Sequence, residues 1–158
     1  MTICIVDTTI FCEMLRVPNM YADPEGVRAE FETKVTASPR EEFMLPMTTI
    51  LETGNHIGQN GDGGTRRKAA QRFVDQVTSA IAGRTPFTAT AFLDRAKLLE
   101  WLVDFPDWAG SADAKGKGSG LGDLTIYKEW DELCEKFPSR RVYIWSRDAQ
   151  LSSYDRQP

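Results

Sequence analysis

The sequence predicts an α/β protein: a three-layer α/β/α sandwich built on a short, mostly parallel central sheet of four or five strands. Three observations lead there. Residues 3–6 (Ile-Cys-Ile-Val) and 142–145 (Val-Tyr-Ile-Trp) are short, wholly apolar runs, the pattern of strands buried on both faces. Strand and helix signals alternate along the chain, which favours parallel strands joined by crossover helices. No internal repeat or domain-sized linker interrupts the 158 residues, so one domain over 1–158 with a single substantial core is expected.

The elements follow in order. The first strand ends at Asp7, and a short helix through Ile10, Phe11, Met14 and Leu15 comes next. Asp23-Pro24 opens another helix, Asp23 as N-cap and Pro24 in the first turn, with Val27, Phe31 and Val35 as its inward stripe. Residues 43–46 read as a second strand and 48–57 as a helix ended by Gly58. After a glycine-rich turn at 59–64, Thr65 caps a longer helix that carries Ala69, Ala70, Phe73, Val77, Ala80 and Ile81 inward and closes at Gly83. Residues 86–90 suit an edge strand, and 91–103 a helix bearing Phe92, Leu98, Leu99 and Leu102. The glycine-rich stretch 104–122 predicts a long mobile loop. A helix over 124–137 then leads to the last strand.

Composition narrows the function classes. With 41% hydrophobic and 27% charged residues the chain is neither disordered nor membrane-embedded, and no apolar run reaches the ~18 residues of a span. The start of the chain lacks a basic leader, and three cysteines without a CxxC pair suit buried, reduced thiols, so a cytoplasmic protein is expected. One histidine makes a zinc site improbable. The formal charge of −4, from 23 acidic and 19 basic residues, speaks against a broad basic nucleic-acid surface. It is compatible with a pocket of carboxylates that awaits divalent cations.

Position is more informative than composition. Asp7 closes the first strand, Glu52 lies about one turn into the helix after the second, Asp123 opens the helix before the last strand, and Asp148 follows that strand. In open parallel sheets, groups at the carboxyl ends of strands and in the first turns of the next helices share one edge. Four carboxylates meeting there would repel one another unless a cation intervened. Mg²⁺ or Mn²⁺ suits such oxygen ligands, activates water and neutralises phosphate oxygens, so phosphodiester hydrolysis is the expected reaction.

Four segments carry a family resemblance: Val6-Asp7-Thr8-Thr9-Ile10-Phe11, Thr48-Thr49-Ile50-Leu51-Glu52, Gly122-Asp123-Leu124 and Trp145-Ser146-Arg147-Asp148. In order and approximate spacing they resemble the signature segments of PIN-domain nucleases. The resemblance implies Asp7, Glu52, Asp123 and Asp148 as catalytic metal ligands for Mg²⁺ or Mn²⁺, with Thr9 and Ser146 as polar supports. It further implies an endoribonuclease acting on single-stranded or loop RNA, similar to toxins of bacterial toxin–antitoxin pairs, with an inhibitory antitoxin protein and a homodimer as partners. The chain departs from the family's pattern at Thr9, where Asn is common, and in GLGDLTIYKEW, which lacks the usual small-residue helix.

Three of the four carboxylates also have ordinary roles, whereas Asp7, a charge closing a buried strand, calls for a partner. Thr49-x-x-Glu52 fits a helix capping box, Asp123 a dipole-favoured first turn, and Asp148 a tight turn. His56, four residues after Glu52, is read as a helix-end residue outside the site. The stretch 114–120 (AKGKGSG) fails the phosphate-loop pattern, which needs Gly at 111 and Ser or Thr at 118. Weaker substrate-binding candidates are Arg147, Lys115, Lys117, Arg66 and Arg67, and Trp108 is the one tryptophan suited to base stacking. Two rival readings remain: a PIN-like module that binds RNA or protein without cutting, and a receiver-like domain with Asp7 as phosphoacceptor.

Overall fold

A computed structural model describes residues 1–111, 116 and 118–158. Strand β1 (Thr2–Val6) is buried along its whole length, as its apolar run demands. It pairs in parallel with β2 (Glu41–Leu45) on one side and β4 (Val142–Trp145) on the other, with Cys4 opposite Phe43 and Tyr143. The short β3 (Phe87–Ala89) lies parallel outside β2, and β5 (Asp155–Arg156) is antiparallel outside β4. The order β3-β2-β1-β4-β5 puts the first strand at the centre of an α/β sheet. It differs from the 2-1-3-4-5 order of receiver-like folds, which removes that rival.

Period-2 alternation divides the sheet between two cores. Cys4 and Val6 face a large cluster with Phe11, Phe43, Leu45, Phe87 and Trp145. That side is covered by α1 (Thr8–Leu15), α2 (Pro24–Val35), α3 (Met47–Gln59) and α4 (Gly63–Ile81). Phe31 of α2 locks the layers together, stacked on Phe87 at 5.2 Å and edge-on to Phe43 at 5.1 Å. Ile3, Ile5, Val142 and Ile144 face the other side, beneath Ile126 and Trp130 of α7 (Leu121–Lys136) and Leu151.

Several boundaries move for identifiable reasons. Asp23 caps α2 through the Gly26 N–H as expected, but Val35 at its end is exposed. Helix α3 continues through Gly58, which meets open space and costs only helix propensity. Asp62, rather than Thr65, caps α4 by accepting from the Thr65 N–H, and Ile81 in its last turn is exposed.

Phe92 precedes α5 (Arg95–Leu102) instead of lying on it, and Leu99 is exposed. Within the loop expected at 104–122, the described residues hold α6 (Phe105–Gly110) and the start of α7, and 112–115 and 117 lie outside them. Trp108 of α6 stacks on Tyr127 at 5.2 Å and donates its indole N–H to Gly120 O, joining α6 to α7. Cys4 and Cys12 are buried and Cys134 half-buried, all as free thiols. Among the described residues, no helix is long and apolar enough to cross a membrane.

Candidate functional site

The carboxyl ends of β1 and β4 point to one edge of the sheet, and Asp7 sits there, only 2% exposed. Its backbone N–H donates to Trp145 O, so it continues the ladder, and its side chain caps α1. Three donors converge on Oδ2: the Thr9 N–H at 3.3 Å, the Thr9 hydroxyl at 2.7 Å and the Ser146 hydroxyl at 2.7 Å. The two hydroxyls are themselves oriented from behind. Thr9 Oγ1 accepts from the Arg147 N–H, and Ser146 Oγ from the Asp148 N–H, both at 2.9 Å. The loop after β4 therefore holds the carboxylate of β1 through two hydroxyl relays. Thr9 and Ser146, which the resemblance names as polar supports, both donate to Asp7 Oδ2.

Glu52 reaches the same edge from α3. The capping-box expectation for Thr49 and Glu52 is overturned: Pro46 occupies the N-cap with no side-chain cap bond, and Thr49 is spent elsewhere. Its buried hydroxyl donates to Val6 O at 2.9 Å, pinning α3 to the last carbonyl of β1. Glu52 instead accepts from the Thr8 hydroxyl at 2.8 Å. Its other oxygen lies against Gly122, so close that a Cβ at 122 would overlap it.

A second hydroxyl pair, Thr48 and Thr125 at 2.7 Å, joins the first turns of α3 and α7, and Thr125 also donates to Gly122 O. These contacts bring Glu52 beside the residue that precedes Asp123. Thr8, Thr48 and Gly122 stand in the quoted segments without a role, and Thr125 is not singled out at all. The signal available was the concentration of threonine where apolar strands end.

Asp123 is half-buried in the first turn of α7. Asp148 is exposed, and its Oδ1 accepts from the Leu151 N–H at 2.9 Å, starting the 3₁₀ turn Leu151–Ser153. Among the described residues, no three His, Cys, Asp or Glu side chains stand together as a group able to hold a metal ion. The geometry is thus a fixed Asp7, a Glu52 braced between α1 and α7, and two further carboxylates in adjoining turns.

The weaker candidates separate. Arg147 is exposed beside the Asp7 cradle, its guanidinium 3.8 Å from Glu30. Arg66 donates to Gly61 O in the turn after α3, and Arg67 is exposed on the same first turn of α4. That turn follows Gln59, about two helical turns past Glu52. Arg72 of the same helix binds the carbonyls of Leu15 and Arg16, at the end of α1 opposite Asp7. Lys115 and Lys117 lie outside the described residues. Comparisons with family models, curated proteins and solved structures found no match for this chain.

Proposed function

We propose that this protein is a Mg²⁺- or Mn²⁺-dependent endoribonuclease of PIN-like type that hydrolyses phosphodiester bonds in single-stranded or loop RNA. The observation that carries the reading is the Asp7 cradle. A buried carboxylate with three donors gathered on one oxygen is held in a single orientation at a strand's end, where α/β sheets place their ligand sites. The donor set fits a hard divalent cation, being all oxygen, with Asp7, Glu52, Asp123 and Asp148 as the residues that would hold it. When bound, the cation supplies Lewis-acid activation of water and neutralises phosphate oxygens.

The chain's own groups do the rest. Thr9 and Ser146 hold Asp7, Thr8 holds Glu52 against Gly122, and the exposed Arg147 offers a charge for a neighbouring phosphate. A homodimer, an inhibitory antitoxin and a cytoplasmic setting belong to the same reading through its resemblance to toxin nucleases.

The test is cleavage of labelled, mixed-sequence single-stranded RNA with Mg²⁺ or Mn²⁺, against an EDTA control and Asp7→Asn. Metal-dependent cutting that the variant loses supports the nuclease. Absence of both cutting and metal binding in folded protein overturns it. One observation favours a second reading, a module that binds RNA or protein without cutting: no three-carboxylate group is assembled, and Asp148 is engaged by Leu151. RNA binding unchanged by EDTA and by Asp7→Asn, with no product, would select that reading.

A further inference from the structure

A cleft of about 460 Å³ opens on the α7 side of the sheet, between the segment after β3, α5 and α7. Met44 of β2 and Ala89 of β3 belong to its wall, and none of Asp7, Glu52, Asp123 and Asp148 lines it. Glu129, six residues beyond Asp123 on α7 and about 9 Å further along its axis, lines the cleft. Its Oε2 is buried with no hydrogen-bond partner, and Oε1 has only a 3.4 Å contact from the Thr90 hydroxyl. The nearest ammonium on the wall, Lys97, is committed to both oxygens of Glu132, at 2.7 and 2.9 Å. A carboxyl desolvated without compensation is costly unless a donor arrives from elsewhere. Burial accordingly pushes it up to about 7.

We propose that this cleft seats a guanine nucleotide, with the base edge on Glu129 and the ring against Phe92 and Trp101. Guanine carries two adjacent N–H donors on its Watson–Crick edge, which match the two oxygens of one carboxylate. Phe92 is two-thirds exposed on the cleft wall, with the buried Trp101 also lining it, so aromatic surface for stacking lies next to the acceptor. The wall also carries Asp94 and Glu132, the latter paired with Lys97, while the exposed Lys136 on the same wall offers a charge to the phosphate. The nucleotide is either free or one unit of an RNA strand; the second case rests on the nuclease reading and makes the cleft a base-selecting subsite of it.

The experiment titrates guanosine, inosine and adenosine 5′-monophosphates into the EDTA-treated full chain, followed by amide NMR shifts. The expected result is guanosine monophosphate binding about tenfold tighter than inosine monophosphate, which lacks the 2-amino donor, and adenosine monophosphate weakest. Glu129→Gln abolishes the preference, and Phe92→Ala, an exposed change that leaves folding intact, weakens all three. A parallel arm measures binding of single-stranded RNA with one guanosine or one inosine at the same position. Discrimination only in the RNA arm assigns the cleft to the strand, and discrimination by the mononucleotides assigns it to free nucleotide; either supports the proposal. Equal affinity for guanine and hypoxanthine in both arms, or discrimination that survives Glu129→Gln, overturns it. Asp7→Asn leaves the mononucleotide preference unchanged, so failure of the nuclease and failure of the guanine site are read separately.

Discussion

Thr9 Oγ1 and Ser146 Oγ stand 3.3 Å apart, yet each has already given its one proton to Asp7 Oδ2. Their closeness is the geometry of two donors sharing one acceptor. Each hydroxyl also accepts from a backbone N–H of the loop after β4, so removing either leaves two polar groups short. Ser146→Ala is expected to cost about 1–3 kcal/mol, because buried Asp7 Oδ2 loses a donor and the part-buried Asp148 N–H loses its acceptor. Urea denaturation of the variant measures this. A loss below a few tenths of a kcal/mol would show that water replaces the hydroxyl.

Gly122 tests the placement of Glu52 without touching its chemistry. Alanine at 122 pushes the Glu52 carboxylate away, although the first turn of α7 itself accepts alanine readily. The expected outcome for Gly122→Ala is unchanged or slightly raised thermal stability, with RNA cleavage down about tenfold or more. Thr8→Val, which frees the same carboxylate, loses about 1 kcal/mol and the same activity, and Thr8→Ser restores both. Full activity in Gly122→Ala would remove Glu52 from the site.

In the proposed nuclease reading Arg147, exposed beside Asp7 and 3.8 Å from Glu30, contacts a phosphate of the substrate. Arg147→Ala is expected to raise KM severalfold with little change in kcat, and to flatten the salt dependence of RNA binding by about one counterion. Kinetics at two ionic strengths check both.

Glu129 links stability to pH. The unfolded carboxyl titrates at its ordinary 4.5 and the folded one at about 7, with burial as the chief cause. Between those values the folded protein holds a proton that the unfolded chain has released, so stability falls as pH rises from 4.5 through 7. The loss is complete above 7 and amounts to up to about 3 kcal/mol. Glu129→Gln removes this component: its stability relative to wild type should be greater at pH 8 than at pH 5. An equal difference at both pH values would place Glu129 in a solvated setting.

Much of this was legible in the chain, and the exceptions share physical causes. Strands β1 and β4 were readable because double-sided burial leaves wholly apolar runs, and α2 because Asp23-Pro24 is a strong start signal. Strand β5 is two residues long and is held by pairing with β4 and by the side-chain bonds of Asp155 with Arg141 and of Arg156 with the carbonyls of Phe137, Pro138 and Arg140, so no periodicity announces it. Helix α6 hides in a glycine-rich stretch because its order comes from the distant stack of Trp108 on Tyr127. The positions of Asp7 and Glu52 at one edge were inferable from topology. The roles of Thr49 and Glu52 were not, since a local capping box and a tertiary anchor use the same residues at the same spacing. Tertiary contacts decided it: Val6 O took the threonine and Thr8 took the glutamate.

The hydrogen bond between Ser146 and Asp7 spans 139 positions of chain. Synthesis places Asp7 139 residues ahead of Ser146, so the carboxylate waits through that whole interval without its second hydroxyl. A chain cut short between the two carries the acid and Thr9 but lacks the hydroxyl that completes the cradle. Any chemistry that depends on the cradle is therefore withheld until the loop after β4 has been made, a timing set by strand order rather than by a separate regulator.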